Sequence, residues 1–251
     1  MLQQTQASRI SERFDAFLDR YPSPAAMAAA TPAQVLADWS GLGYNRRALN
    51  LHAAARSITA DGWPDTVKEL ERLPGIGPYS AGATASIAFG QPVGAVDTNV
   101  RRWMVRRFAA DPADRHALQD LADRLAAGSP SFSRREAGTW THATMEFGAR
   151  ICNARTPHCN ICPVSRGCPS RSNPRRVPVP RQSEATAATR AARGAVLRAL
   201  ATAPDHRLRW AKASQSVNSG ANAVDYREIT EGLERDGLLH RSGGDLVLGP
   251  R

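Results

Sequence analysis

The chain has 251 residues, 42% of them hydrophobic, which is enough for one large domain or for a medium and a small one. A net charge of +10 and a pI of about 10.4 favour a polyanionic partner. Only Lys68 and Lys212 are lysines, so the positive charge is almost entirely arginine, which contacts phosphates in a bidentate manner. A GC-rich genome also produces such a bias. The sequence has no run of 18 apolar residues and no signal-peptide pattern, so we expect a cytoplasmic protein without a membrane partner.

Helical patterns dominate the first two thirds of the chain. Apolar residues at helical spacing begin at Ile10, and Thr31-Pro32 is typical of an N-cap followed by proline at the first helical position. No convincing strand precedes residue 170, so this part is predicted to be all-α. One predicted helix begins at residue 32. The other predicted helices cover residues 10–18, 45–59, 65–72, 79–89, 99–108, 114–127 and 134–151.

The last third has a different composition. Residues 169–184 are rich in Pro, Arg and Ser and are predicted to be an exposed linker between a helical domain, 1–168, and a small module, 185–251. The module shows helices near 189–201 and 225–236, then a β-hairpin around Gly243-Gly244. This order indicates a winged-helix-like α+β module. A packing module without DNA contact is an equally good interpretation.

All four cysteines lie within a loop at residues 152–168, with the spacing C-x6-C-x2-C-x5-C. Four thiolates with this uneven spacing suit a cubic [4Fe-4S] cluster, in which each thiolate reaches a separate iron. A structural zinc site is the alternative, although only one C-x2-C pair is present. The predicted ligands are Cys152, Cys159, Cys162 and Cys168.

Two further segments carry candidate functional residues. Gly75 and Gly77 form a G-x-G turn before a predicted helix start at Pro78, an arrangement suited to a DNA phosphate, although an ordinary turn between helices has the same pattern. Asp97 precedes an arginine-rich helix and by itself is best interpreted as its N-cap. Arg101 and Arg102 on that helix are predicted to contact phosphate, with a solvated helix face as the alternative.

Several strings together resemble one family. They are MLQQTQ at 1–6, GLGY at 41–44, LPGIGPYSAGA at 73–83, VDTNVRR at 96–102 and the cysteine loop. Over roughly residues 1–170 the chain resembles the MutY-type adenine DNA glycosylases, iron–sulfur members of the helix–hairpin–helix glycosylases in the endonuclease III superfamily. The resemblance implies a mainly α fold that carries a [4Fe-4S] cluster. It also implies hydrolysis of the N-glycosidic bond of adenine mispaired with 8-oxoguanine or guanine in duplex DNA.

The resemblance also assigns roles to single residues. Asp97 matches the catalytic aspartate that stabilises an oxocarbenium-like transition state, with Asn99 and Tyr79 beside it. Endonuclease III normally has a lysine at the position of Tyr79, so we expect base removal without strand cleavage. The residues that match DNA-contacting positions are Gln4 and Thr5, which wedge into the duplex, and Leu42 and Tyr44, which probe beside the partner guanine. Core packing is the alternative for the last two and for Tyr79.

Two departures from the family pattern lead to further expectations. The family's catalytic glutamate stands two residues before the methionine of MLQQTQ, and the printed sequence begins at Met1, so we expect slow excision by this chain. Long members of the family end in a Nudix-like domain that reads 8-oxoguanine, and residues 185–251 show no such pattern. A T·G mismatch glycosylase and a non-catalytic iron–sulfur DNA-binding protein are the alternatives. We expect a monomer associated with the nucleoid.

Overall fold

A computed structural model describes residues 1–3, 5, 7–128, 134–177, 186–218 and 225–251. This part of the chain is mainly helical with one small sheet, which confirms the predicted fold class. It divides into two compact units, one comprising Met1–Trp63 with Ser183–Arg251 and the other Pro64–Gln182. Within the described ranges, no helix is both long and apolar enough to cross a membrane.

The first unit begins with four helices. Thr31 forms a capping box with Gln34 and is followed by Pro32 at the first helical position, as predicted. The predicted apolar stripe of the first helix is buried only in part, because Phe14 and Leu18 remain 45% and 46% exposed. The four helices are α1 Ala7–Arg20, α2 Pro24–Ala29, α3 Pro32–Asp38 and α4 Arg46–Asp61.

The second unit consists of helices joined by tight turns. Ser86 is fully buried and hydrogen-bonds to the Thr141 hydroxyl at 2.5 Å and the Ala137 carbonyl at 2.9 Å, which joins two of the helices. The final helix continues into a π-helical turn, Phe147–Ile151. The helices are α5 Val67–Leu70, α6 Pro78–Ile87, α7 Thr98–Phe108, α8 Arg115–Ala126 and α9 Arg134–Glu146.

The C-terminal part of the first unit has the winged-helix order of elements. The strands form an antiparallel sheet in the order β1-β3-β2, with His240 opposite Val247. The sequence did not predict β1 or α11, because a three-residue strand is too short to show an alternating pattern. The elements are α10 Ala187–Thr202, β1 Arg207–Arg209, α11 Trp210–Asn218, α12 Tyr226–Arg235, β2 Leu239–Ser242 and β3 Asp245–Leu248.

Both ends of the chain contribute to one hydrophobic core in this unit. Val35 and Trp39 from α3 belong to the same buried cluster as Val196 and Leu200 from α10 and Leu246 from β3. Burial of each such side chain stabilises a fold by about 1.5–3 kcal/mol. Helix α10 is therefore held firmly against the N-terminal helices. The predicted division at residues 168 and 185 stays a prediction, and much of the predicted linker lies outside the described residues.

Candidate active site

The hairpin between α5 and α6 presents an open helix end. Gly75 has a φ of +76°, a conformation that favours glycine, whereas Gly77 has an ordinary φ of −99°. A Cβ placed on Gly77 would meet no atom within 4 Å, so this backbone is open to close approach by a partner. Helix α6 starts at Pro78, as predicted, without a side-chain cap at its N-terminus. Both glycines therefore occupy the places expected of an anion site, and phosphate binding there stays a prediction.

Close packing positions the segment that leads to Asp97. A Cβ on Gly82 of α6 would lie 2.6 Å from the carbonyl oxygen of Gly94, so only glycine lets the helix approach this segment. The amide of Gly94 in turn donates to the Asp123 carboxylate at 2.7 Å. These contacts fix the backbone shortly before Asp97.

Both carboxylate oxygens of Asp97 accept hydrogen bonds. Asp97 is the N-cap of α7, and its Oδ1 accepts a hydrogen bond from the Val100 amide at 2.6 Å. Its Oδ2 accepts from the Asn99 side-chain amide at 2.8 Å. The helix-cap interpretation is therefore correct, and it is compatible with a second role. The cap and Asn99 together hold the carboxylate in one plane at the half-buried start of the helix.

Tyr79 lies close enough to Asp97 to interact with it electrostatically. Partial burial raises the pKa of the Tyr79 phenol, and the negative charge of Asp97 raises it further. The hydroxyl donates to the Met145 sulfur at 3.4 Å, and 37% of the residue is exposed. Sulfur is a weak acceptor, so this hydroxyl is free to turn toward a bound substrate. The structure thus brings Tyr79, Asp97 and Asn99 together, although their catalytic roles stay a prediction.

A buried arginine supports this group from behind. Arg102 is only 6% exposed, and its guanidinium donates to Asn99 Oδ1 at 2.9 Å, to the Gly148 carbonyl at 2.5 Å and to the Cys152 carbonyl at 2.9 Å. Burial lowers the pKa of Arg102, and the neighbouring positive charge of Arg106 lowers it further. Arg102 therefore connects the Asp97–Asn99 pair to the start of the cysteine loop.

Three arginines of α7 bind backbone carbonyls, and two of them, Arg102 and Arg106, are buried. Arg106 is 3% exposed and binds the carbonyls of Asn153 at 2.6 Å and Ala154 at 3.1 Å. Arg101 donates to the Pro112 carbonyl at 2.5 Å. The sequence pattern does not show these contacts, because the acceptors are distant backbone carbonyls. For Arg102 and Arg106 they belong to the cysteine loop. Phosphate contact by Arg101 and Arg102 stays a prediction.

The four cysteines line one small cavity, together with Arg106 and His158. Burial raises the pKa of the Cys162 thiol, and the other three thiols add to this shift, which places them near one another. Within the described ranges, no set of three or more His, Cys, Asp or Glu side chains is arranged to hold a single metal ion. The four thiols nevertheless surround one space.

The predicted DNA-contacting residues of the first unit have different environments. Tyr44 is 48% exposed and has a φ of +47°, an uncommon value for a residue other than glycine. Leu42 is only 3% exposed and belongs to the core, which is the alternative interpretation given above. Thr5 is half-buried, and Gln4 lies outside the described residues.

Arg47 joins these segments and was not predicted. Its guanidinium donates to the Met1 carbonyl at 2.8 Å, to the Thr5 hydroxyl at 2.7 Å and to the Gly43 carbonyl at 3.1 Å, and it also binds the Gln3 carbonyl. It lies 5.6 Å from the Tyr44 ring centroid, within cation–π range. The arginine therefore ties the N-terminal MLQQT segment to the GLGY turn. No feature of the sequence distinguishes it from the neighbouring Arg46, which binds the Asp236 carbonyl instead.

Comparison with known proteins accounts for this set of features. Residues 1–126 match the model of the HhH-GPD superfamily base excision DNA repair proteins. The chain belongs to this family. The helix–hairpin–helix motif that the sequence predicts is formed by α5, the hairpin and α6.

Several relatives of this HhH-GPD protein are adenine DNA glycosylases. The chain is 45% identical to that of Mycolicibacterium smegmatis over 168 residues, which is 66% of this chain and 56% of the relative. It is 40% identical to that of Mycobacterium tuberculosis over 215 residues, 81% of this chain and 68% of the relative. The human relative is 37% identical over 180 residues, 68% of this chain and 32% of that protein. The chain thus spans about half to two thirds of the bacterial relatives.

Solved structures with the same fold include a DNA glycosylase and complexes of endonuclease III with DNA. A thermostable thymine-DNA glycosylase matches with a TM-score of 0.59 and 27% identity, over 67% of this chain and 78% of that one. A trapped endonuclease III–DNA covalent intermediate matches with a TM-score of 0.57 and 25% identity, over 68% and 79%. The relatives named for adenine therefore have the higher identity to this HhH-GPD chain.

Proposed function

We propose that this protein is a DNA glycosylase that hydrolyses the N-glycosidic bond of adenine mispaired with 8-oxoguanine or guanine in duplex DNA. The oriented carboxylate of Asp97, with Asn99 and Tyr79 beside it on a helix–hairpin–helix core, is the observation that carries the proposal. The adenine DNA glycosylases at 37–45% identity support the choice of base.

The chemistry follows from the position of the carboxylate. Cleavage of a glycosidic bond develops positive charge on the sugar, and a preorganised anion stabilises that charge without having to reorient during the reaction. Asp97 meets this requirement because the Val100 amide and the Asn99 side chain already fix its oxygens. Arg102 in turn holds Asn99. Tyr79, whose pKa is raised, keeps its proton near neutral pH and supplies a hydrogen-bond donor beside the sugar.

Reaction without strand cleavage is part of the proposal. Bifunctional glycosylases attack the sugar with a lysine amine and form a Schiff base. The corresponding position in this chain is Tyr79, and a phenol does not form a Schiff base. We therefore expect borohydride to trap little covalent adduct between the protein and DNA.

A [4Fe-4S] cluster fits the cysteine cavity. Its four thiols provide the donor set that such a cluster uses, and Arg106 holds the loop that carries them. When bound, the cluster would cross-link the loop, and the energy of ligation would stabilise the local fold. Because Arg102 also binds the Cys152 carbonyl, order in the loop is linked to the position of Asn99.

The test is single-turnover base release from labelled duplexes containing A·8-oxoguanine, A·G or T·G, revealed by alkali. The 251-residue chain should release adenine slowly from the first two and leave T·G intact. Asp97→Asn should reduce the rate by about 10²–10³-fold, the usual loss when one electrostatic contact is removed, while duplex affinity stays nearly constant. Release of thymine would replace this assignment with a thymine glycosylase. Tight binding without release of any base would make the protein a non-catalytic DNA-binding protein.

A further inference from the structure

A cleft of about 350 Å³ lies within the first unit, where the two ends of the chain meet. Helix α1 and the GLGY turn form one side, and α10 forms the other. The DNA-reading turn predicted from the sequence therefore shares a concave surface with the C-terminal segment, for which the proposed function has no role.

The cleft is basic. Arg9 of α1 and Arg190 and Arg198 of α10 line it, together with Ser40, Gly41 and Asn45 of the segment around the turn. None of the described residues that line it carries a carboxylate. Guanidinium groups converging on small polar and glycine residues provide the chemistry of a phosphate site.

The turn side of the cleft is rigid. Gly41 and Gly43 have φ values of +91° and +72°, conformations that glycine tolerates. The Trp39 indole donates to the Gly43 carbonyl at 3.1 Å, and the Leu42 amide donates to the Trp39 carbonyl at 3.1 Å. The turn is thus held from inside the core. A Cβ on Gly43 would meet no atom within 4 Å, whereas the guanidinium of Arg13 lies against Gly41.

The helix side is held equally well. Val196, Leu197 and Leu200 of α10 are buried in the unit core, so the arginines on the same helix have a defined position relative to the turn. A Cβ on Gly194 would lie 3.1 Å from a guanidinium nitrogen of Arg198. Glycine at this position lets the Arg198 side chain lie along the helix surface beside the cleft.

We propose that this cleft binds the phosphodiester backbone of duplex DNA next to the base that the GLGY turn contacts, and that α10 supplies part of its charge. The C-terminal segment would then extend the DNA-binding surface of the glycosylase through the shared core. The inference rests on the proposed function for the kind of ligand. The cleft is larger than one phosphate needs, and a free nucleotide or inorganic phosphate would satisfy the same charges.

The test compares Arg198→Ala and Arg9→Ala with Arg56→Ala. Arg56 is exposed on α4 of the same unit and does not line the cleft, so its loss controls for net charge. Affinity for a duplex is measured by anisotropy over a range of salt concentrations. Each cleft variant should weaken binding about tenfold or more at low salt and reduce the log–log salt slope by about 1. Arg56→Ala should change neither.

A second variant displaces the charge without removing it. Gly194→Ala should raise Tm, because alanine favours a helix more than glycine does, while it moves the Arg198 guanidinium by a few tenths of an ångström and weakens duplex binding. Loss of affinity in a more stable protein would exclude unfolding as the cause.

Three results would overturn the inference. Cleft variants that behave like Arg56→Ala would show that the charge is not used. Thermal stabilisation by inorganic phosphate or a free nucleotide that disappears in Arg198→Ala, with unchanged duplex affinity, would make the cleft a small-anion site. Duplex affinity unchanged in Gly194→Ala despite a displaced guanidinium would remove α10 from the site. If no adenine is released but the salt slope still falls in the cleft variants, the proposed function is refuted and this inference stands.

Discussion

Adding one carbon at Gly148 should show whether packing against the π-helical turn positions the Asp97–Asn99 pair. Gly148 lies in the π-helical turn, and a Cβ built on it would be 2.5 Å from the carbonyl oxygen of Asn99 and 2.9 Å from the Asn99 Cβ. Real Cβ atoms almost never approach other atoms within 3.0 Å, so the two backbones must separate by about half an ångström, 3.0 minus 2.5. The same residue's carbonyl accepts from Arg102. Gly148→Ala therefore pushes directly on the Asp97–Asn99 pair.

The expected magnitude follows from that displacement. Overpacking of this kind costs about 1–3 kcal/mol of unfolding free energy, which lowers Tm by about 2–4 °C per kcal/mol in a chain of this size. A misplacement of 1 Å can cost about 100-fold in rate, so half an ångström at Asn99 should cost about tenfold. Duplex affinity should change little, because Gly148 is buried and its neighbours in the described structure belong to the protein interior.

Ala149→Ser is the matched control. It also adds one heavy atom to the π-helical turn, but at an exposed position. Thermal unfolding and single-turnover adenine release are measured for both variants. The proposed support of Asn99 would be refuted if Gly148→Ala matched Ala149→Ser in both Tm and rate. A loss of Tm with an unchanged rate would mean that the Asp97–Asn99 geometry does not depend on this packing.

Three further predictions test other parts of the structure. Arg102→Met removes hydrogen bonds to three acceptors, of which only the Cys152 carbonyl keeps another donor, Arg106 at 3.4 Å, and should cost about 3–5 kcal/mol in denaturant unfolding. Arg102→Lys should lose less stability, since it keeps the charge but not the fork geometry, and equal losses would argue against a role for the individual hydrogen bonds. Cys159→Ser should reduce bound iron and protease resistance of the cysteine loop, and colourless wild-type protein with one zinc would contradict the cluster. Burial raises the pKa of Tyr226 to about 12, so the phenol ionises more readily in the unfolded chain. The free energy of unfolding is therefore unaffected by this group below pH 10 and falls as pH rises toward 12. Tyr226→Phe should remove that alkaline dependence and leave stability at pH 7 equal or slightly higher, because the buried hydroxyl has no hydrogen-bond partner in the described structure.

Local chemistry made much of the helical architecture predictable. The Thr31-Pro32 start of α3, the Pro78 start of α6 and the Asp97 cap of α7 depend on neighbours along the chain, so their signals are in the sequence. Weak local signals were missed, as with β1 and α11. Periodicity alone predicted the first helix from Ile10 onward. It shows a face of a helix but not whether another element covers it, and Phe14 on that helix remains exposed.

By itself, the sequence determined the positions of the hairpin, the aspartate and the cysteine loop, because each of these is a short string whose chemistry is local. The tertiary structure decided how they are connected. The contact of Arg102 with Cys152, which links Asn99 to the cysteine loop, spans 50 positions, and the Arg47 contacts to the N-terminal segment span more than 40. The shared core of α3 and α10 joins residues from opposite ends of the chain. Such contacts arise when distant backbone carbonyls and apolar faces meet on folding, and a linear pattern does not contain the distances between them.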